Sequence, residues 1–461
     1  MRRAIYLILV LGLLSACSVV VKDIPTPITL PTKFSATGQA KLLDKWWLAF
    51  DDPALNRLCE QALTDNFSLM AAFNRLDQAK AIAKKTGADL IPQINGNVLA
   101  SGASTDSARG NDFALGLAAS YELDLWGRIR SAVNAAKLDV NATEEDVFSA
   151  AISLTAEITT TWYQLVEQRQ QLKLLDQQIE INRNNVTLIT VRFKGAQATA
   201  ADVFQQQQLL ESVIGSRYTV VSTLAVLENQ LAVLTGKPPG TIALPDLNEF
   251  PALPPLPQTG LSLDLMQRRP DIRKAYFAVQ AADQRVASAI ADRFPKLSLS
   301  ASVEGNSPDL QALLNNWLAT VAGNLVLPII DGRRRVAEVE RNRAVSAEAL
   351  NNYASSLLNA VQEVENALVQ ERQQRLLVTN LERQVQLARQ ASSMIRLRYI
   401  NGAIDFLRVL SAVLSQQSLE RSLLQAQVQL IEYRINFYRA LAGRFPLADA
   451  STHKIARKPF L

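Results

Sequence analysis

The chain is poor in the residues that build compact chemical centres. Its 461 residues include one histidine, His453, eight positions from the end, and two cysteines, Cys17 and Cys59. That count argues against a Cys/His zinc centre, a Ser/His/Asp triad in the body of the chain and a disulfide framework. No G-x-S-x-G, Gly-rich phosphate loop or metal-spaced His cluster occurs, and no pair stands out among the 43 scattered carboxylates. The chain reads as a non-enzyme without a cofactor. Lys and Arg number 48, for a net charge of +5, and removing residues 1–16 leaves +3. That excess is too small to imply nucleic acid. Beyond the leader no run reaches 18 consecutive apolar residues. With no transmembrane helix, any membrane crossing falls to β-strands.

What is present begins with an address. Arg2 and Arg3 precede the apolar stretch Ala4 to Leu14, too short to span a bilayer and the right length for a secretory signal core. Leu14-Ser15-Ala16-Cys17 follows and resembles a bacterial lipobox. Residues 1–16 therefore read as a lipoprotein signal peptide, and Cys17 as the acylated new amino terminus. Ser18 lacks the carboxylate associated with retention at the inner membrane, which gives the outer membrane as the address. The expected product is lipid-anchored and extends into the periplasm. Cys59 then has no partner and reads as a small buried hydrophobe.

The body of the chain is written twice. Ala88-Asp89-Leu90-Ile91-Pro92 recurs as Ala291-Asp292-Arg293-Phe294-Pro295, a shift of 203, and Trp126-Gly127-Arg128 recurs as Asp331-Gly332-Arg333, a shift of 205. Arg192-Phe193 before Gly195 returns as Arg398-Tyr399 before Gly402, and Leu234-Thr235-Gly236 as Leu441-Ala442-Gly443. The division that follows is an N-terminal segment 17–60, a first repeat 61–236, a Pro-rich extended linker 237–260, a second repeat 261–443 and a tail 444–461.

Within each repeat the apolar period switches from helical to two and back. Phe113, Leu115, Leu117, Ala119, Tyr121, Leu123 and Leu125 alternate with small or polar residues, and Leu297, Leu299, Ala301 and Val303 alternate with serines and Glu304. Weaker alternation covers Ile94 to Ser101 and Trp317 to Leu327. One hairpin per repeat is predicted, over 93–125 and 296–328, with loops at Ser101 to Asp112 and Gly305 to Asn316. Apolar on one face and small or polar on the other suits a lipid-facing barrel strand. Residues 128–194, 333–401 and 403–442 hold neither Gly nor Pro, which predicts long helices over 128–235 and 333–442. At about 1.5 Å per residue the first such stretch reaches roughly 100 Å. Its seam reads Trp162, Leu165, Leu172, Leu175, Ile179, Val186, Ile189 and Phe193, with Gln168 to Gln171 and Gln205 to Gln208 expected to stay wet. Shorter helices are predicted over Pro53 to Lys85 and Leu261 to Asp292.

Four strands cannot close a barrel, so several chains must share one. Two chains give eight strands and a filled interior, and three give twelve and a lumen. A rival reading, an outer-membrane-anchored periplasmic coiled-coil lipoprotein without a pore, fits the helices and the lipid and leaves the alternating strands unexplained.

Five strings carry a family likeness: Trp46-Trp47-x-x-Phe50-x-Asp52-Pro53-x-Leu55, Tyr121-Glu122-Leu123-Asp124-Leu125-Trp126-Gly127-Arg128, Arg269-Pro270-Asp271-Ile272-Arg273, Phe294-Pro295-x-Leu297 and Arg398-Tyr399-x-x-Gly402. In their order and spacing the chain resembles an outer membrane factor of the TolC/OprM type, in the NodT-like lipoprotein branch serving resistance-nodulation-division efflux systems. The resemblance implies an α+β membrane protein. It would be a homotrimer with a shared 12-stranded transmembrane β-barrel, four strands per chain, and a long periplasmic α-helical barrel. It further implies a passive export duct for drugs or other toxic compounds, coupled to a periplasmic adaptor and an inner-membrane transporter of that class. By position the gate and adaptor contact would lie at two helical tips, Arg192 to Asp202 and Arg398 to Ser411. Asp202 and Asp405 are candidate gate charges, Arg192, Arg398, Tyr399 and Arg408 their candidate partners, and Gly195 and Gly402 the turn residues with positive φ. Relatives often carry Leu-Asp-Ala-Gln after the second tip, where this chain reads Leu410-Ser411-Ala412-Val413. The missing acid predicts a leakier or less cation-selective closed pore.

Overall fold

The computed structural model describes residues 28–104, 109–242, 250–260 and 268–447. The signal peptide, Cys17 and most of the tail lie outside them. The helices are α1 (Pro53–Asp65), α2 (Phe67–Gly87), α3 (Arg128–Lys194), α4 (Ala200–Leu234), α5 (Pro270–Ala291), α6 (Arg334–Ile400) and α7 (Phe406–Leu441). The strands are β1 (Gln93–Ser104), β2 (Arg109–Leu123), β3 (Lys296–Ser307) and β4 (Trp317–Val326). Both long Gly- and Pro-free stretches form single helices of 67 residues. The predicted Pro53 to Lys85 helix is two, because Asn66 leaves the helical region (ψ 122°) and turns its side chain to other work. Its amide donates to the Leu234 carbonyl at 2.9 Å and its Oδ1 accepts from the Leu69 N–H at 2.9 Å.

The described residues divide into two compact units: those within 28–29, 74–146 and 271–357 in the first, and those within 30–73, 147–270 and 358–447 in the second. The first holds the sheet, antiparallel throughout in the order β1-β2-β3-β4. The strands run further into the first loop than predicted, β1 to Ser104 and β2 from Arg109, because Ser101↔Asp112 and Gly102↔Asn111 extend the ladder despite their turn-forming composition. At the base of the sheet Trp126 stacks on Phe294 with centroids 4.9 Å apart and donates Nε1–H to the Pro295 carbonyl at 2.8 Å. The Asp124 carboxylate accepts the first N–H groups of α3 from Ile129 and Arg130, at 3.1 and 2.8 Å, which starts that helix directly after the strand. Beneath it, Arg273 reaches the fully buried Glu145 at 2.5 Å.

The second unit is organised by the aromatic residues near the start. Trp46 and Trp47 are fully buried, Trp46 stacks on Tyr438 and Trp47 meets Phe445 edge-on. Asp52 caps α1 through Ala54 and Leu55 and also accepts Trp162 Nε1–H at 2.7 Å. One carboxylate thus starts a helix and fixes α3 beside it. Cys59 is fully buried, and burial pushes its thiol well above the usual range, so it behaves as the expected small hydrophobe. The linker residue Pro257 bridges Ala40, and Gly38 approaches Leu256 so closely that a Cβ there would overlap its carbonyl. Arg434, fully buried, forks onto Glu371 at 2.7 and 2.6 Å and donates to the Pro254 carbonyl, tying linker to helices.

The helical seam departs from expectation in two ways. Trp162, Leu165, Leu175, Ile179 and Ile189 are buried, while Phe193 is exposed, so the apolar stripe drifts away near the end of α3. Gln171 and Gln206 are buried rather than wet, and Gln178 is buried with them. Gln171 donates to the Arg421 carbonyl at 3.0 Å, Gln178 meets Glu420 at 3.2 Å, and Gln206 meets Asn182 at 3.0 Å. The amides are satisfied across the helix contacts, which removes the penalty of burying them.

Candidate functional site

The register assigns every strand residue to a face. On one face lie Ile94 and Val98 of β1, Leu115, Leu117, Tyr121 and Leu123 of β2, Leu297, Leu299 and Val303 of β3, and Trp317, Val321 and Leu325 of β4. Several are more than half exposed: Ile94 71%, Val98 80%, Leu117 62%, Val321 83% and Leu325 65%. The other face carries Asn95, Asn97, Gly116, Ser120, Ser298, Ser300, Ser302, Glu304, Thr320 and Asn324. An apolar face this exposed is stable against lipid and not against water, and the opposite face suits a wet lumen. A Cβ added at Gly96 or Gly323 would meet Leu117 or Leu299 in ordinary van der Waals contact, at 3.6 and 3.7 Å, so packing on this face does not demand glycine at either position. At the lower end of the polar face Glu122 takes a bidentate pair of bonds from Arg128, at 3.0 and 2.8 Å.

The second candidate element is the pair of helical tips in the second unit. The turn between α3 and α4 closes with Ala196 N–H to the Phe193 carbonyl and Gln197 N–H to the Arg192 carbonyl. The turn between α6 and α7 repeats this with Gly402 to Tyr399 and Ala403 to Arg398. The left-handed residues are Ala196 (φ 57°) and Gly402 (φ 74°). Gly195 is not among the positive-φ residues, so the expected equivalence with Gly402 is corrected: the repeat places Ala196 there. An exposed alanine tolerates the region at a cost of about 1 kcal/mol.

The acids at the tips serve the backbone. Asp202 forms a capping box with Thr199, each side chain accepting from the other's N–H, and Asp405 caps α7 by accepting from Arg408 N–H at 3.1 Å. No ion pair joins Asp202 or Asp405 to Arg192, Arg398 or Arg408 among the described residues. The Thr199-x-x-Asp202 spacing is a legible capping signature, and reading its acid as a gate charge passed over it. Arg192 does what the sequence did not indicate. Its guanidinium lies 4.5 Å from the Tyr399 ring centroid and donates to the carbonyls of Tyr399 and Ile400 at 3.1 and 2.8 Å. It is the clasp between the first tip and the second, above an apolar cluster of Leu175, Ile179, Ile189, Leu209, Val213 and Phe406. Arg398, its repeat equivalent, instead borders a groove of about 660 Å³ with Ile395, Asp405, Arg408 and Ser411.

A four-stranded sheet with a lipid-suited face and two edges unpaired among the described residues, in a chain with helices of 67 residues, defines a channel subunit whose barrel is completed by further chains. Residues 58–237 and 261–443 match the family described as outer membrane efflux protein, and the chain belongs to it. It is 29% identical to the pyoverdine export outer membrane protein OpmQ of Pseudomonas aeruginosa, over 94% of each chain. It is 25% identical to the cation efflux system protein CusC of Escherichia coli, over 86% of this chain and 88% of that one. Among solved structures, the outer-membrane channel OprN superposes with a TM-score of 0.85 at 27% identity, covering 92% of this chain and 99% of OprN. The fold is TolC-like, mostly helical with one four-stranded sheet per chain. The protein is the outer membrane channel component of a tripartite efflux system.

Proposed function

We propose that three copies of the chain close one 12-stranded barrel through the outer membrane, tethered by lipid on Cys17. The helical tips then meet a periplasmic adaptor that joins them to an inner-membrane transporter of the resistance-nodulation-division class. The observation that carries the reading is the largely apolar face of a sheet whose β1 and β4 edges are both unpaired among the described residues. Lipid cannot satisfy an open edge, and twelve strands leave a lumen where eight would be filled. The duct is passive, with export driven and cargo chosen by the transporter. The names of relatives range over pyoverdine, toluene and cations, consistent with selection elsewhere in the system. The residues Leu410 to Val413 carry no acid, so the closed pore is leakier or less cation-selective than one ringed by carboxylates. The test is the mass and conductance of detergent-extracted protein. A trimer that forms channels in planar bilayers is expected, and a monomer without conductance overturns the duct. Reversal potentials showing strong cation selectivity overturn the selectivity reading. Palmitate labelling is expected to vanish in Cys17→Ala, and its retention overturns the anchor.

A further inference from the structure

The foot of the second hairpin, where the chain enters β3 and leaves β4, carries a charge pattern that the first hairpin lacks. Arg335 at the start of α6 bridges Asp292 and Asp331, at 3.0 Å each, and Lys296 meets the other oxygen of Asp292 at 2.7 Å. These bonds tie the two segments together and occupy both carboxylates. Arg293, Arg333 and Arg334 stand directly beside them in sequence, all exposed, and among the described residues no ion pair or hydrogen bond engages their guanidinium groups. Five cations thus share two carboxylates, which leaves three positive charges in excess. The matching positions of the first repeat are Leu90, Gly127 and Arg128, and Arg128 is already held by Glu122.

Gly127 and Arg333 are structural equivalents. Each has a positive φ, 77° and 66°, and each carbonyl accepts the N–H four residues on, from Ser131 and Ala337 at 2.9 Å. Glycine adopts that backbone freely, whereas arginine must hold a left-handed conformation that is disfavoured for any L side chain. A strained arginine without a partner in its own chain is suited to a contact outside it.

The surroundings set the chemistry of that contact. β4 has 10 residues, the length of about one membrane crossing, and α6 follows it for 67 residues. In the shared barrel, the foot of the hairpin therefore lies at the headgroup level of the periplasmic leaflet. Leu325 and Leu327 lead to it, each more than half exposed, followed by Ile329 and Ile330 at 84% and 91%. An exposed apolar run that ends in unpaired cations matches a lipid, whose acyl chains lie against the first and whose phosphate meets the second. We propose that Arg293, Arg333 and Arg334 bind the headgroup phosphate of an anionic phospholipid, one per chain, with its acyl chains along the run from Leu325 to Ile330. Guanidinium groups suit this role, because they take two phosphate oxygens at once and are less strongly hydrated than an ammonium. The inference rests on the outer-membrane barrel and adds a lipid that it holds.

Titrating phosphatidylglycerol or phosphatidylcholine into the detergent-extracted full-length protein, with bound lipid counted by native mass spectrometry, tests the site. Wild type is expected to take one phosphatidylglycerol per chain in preference to phosphatidylcholine. Arg293→Gln, Arg334→Gln and Arg333→Gly should each lower that preference about fivefold. Arg333→Gly also relieves the backbone, so a folding defect would not account for its loss. Arg343→Gln removes the same charge from an exposed residue of α6, roughly 13 Å further along the helix, and should leave the preference unchanged. Inorganic phosphate should not displace the lipid, because it brings nothing to the apolar run; displacement at equal concentration reduces the patch to a simple anion site and overturns the lipid. No preference in wild type, or an equal loss in Arg343→Gln, overturns the site in a particle that is still trimeric by mass and leaves the shared barrel standing. A preference that survives the three substitutions overturns it too, and a shifted reversal potential in those variants would then place the arginines in the lumen. A monomeric particle overturns the shared barrel, and the site with it.

Discussion

Replacing Arg192 with alanine should loosen the hold between the two helical tips. The side chain donates two hydrogen bonds to carbonyls of the second tip and covers the Tyr399 ring. Arg192 is partly exposed, so each bond is worth about 1 kcal/mol, and the cation over the ring adds about 0.5–1 kcal/mol. The sum, about 2.5–3 kcal/mol, corresponds to a shift of roughly 70- to 150-fold per chain in the equilibrium between held and released tips. Single-channel recording in planar bilayers reads this as a rise in open probability or in the frequency of openings. Arg192→Lys keeps a charge near the ring but cannot bridge both carbonyls, so it should fall between wild type and alanine. Tyr399→Phe is the control. The Tyr399 hydroxyl is buried without a partner, so removing it leaves ring and carbonyls in place and should not raise opening. Opening unchanged in Arg192→Ala, or raised equally by Tyr399→Phe, would refute the clasp.

Three further outcomes follow from the packing. Glu371→Gln or Arg434→Met strands the other member of a buried pair and should cost about 3–5 kcal/mol, seen as a lower melting temperature; an unchanged melt would show that the linker is held by other contacts. The Glu167 carboxyl is buried and lies near Glu432, which raises its pKa above the ordinary 4.5 despite hydrogen bonds from Gln171 and Gln168. The folded state therefore binds the proton more tightly, and stability falls as pH rises from 4.5 towards the folded value. Glu167→Gln should remove that decline in thermal melts and raise stability at neutral pH, and a variant that keeps the wild-type pH dependence would count against the assignment. Gly236→Ala and Gly240→Ala separate backbone strain from collision. Both glycines have positive φ, but a Cβ at Gly236 would sit 2.4 Å from the Asp65 carbonyl oxygen, while at Gly240 it meets nothing within 4 Å. Gly240→Ala should cost about 1 kcal/mol and Gly236→Ala clearly more, and equal melting temperatures would contradict the close approach.

The elements were legible because their signals are local. Alternation from Phe113 to Leu125 sets a strand, and 67 residues without Gly or Pro set a helix, whatever surrounds them. The duplication was legible too, and with it the number of strands that forces chains to share a barrel. What each tip residue does was not. Arg192 acts on carbonyls 207 and 208 positions away, and no spacing in the sequence encodes such a contact. The capping role of Asp202 was legible in Thr199-x-x-Asp202, whereas Asp405 was visible only as a charge beside a helix start, which can serve solvent, a partner or the backbone, and the fold selects the backbone. The buried glutamines make the same point: polarity places a side chain in water by default, and the neighbouring helix overrides that default by offering hydrogen bonds. Periodicity by itself determined which segments are strand or helix and that the unit occurs twice. The tertiary structure decided which polar groups meet, because hydrogen bonds and burial depend on distances in space that the order of residues does not fix.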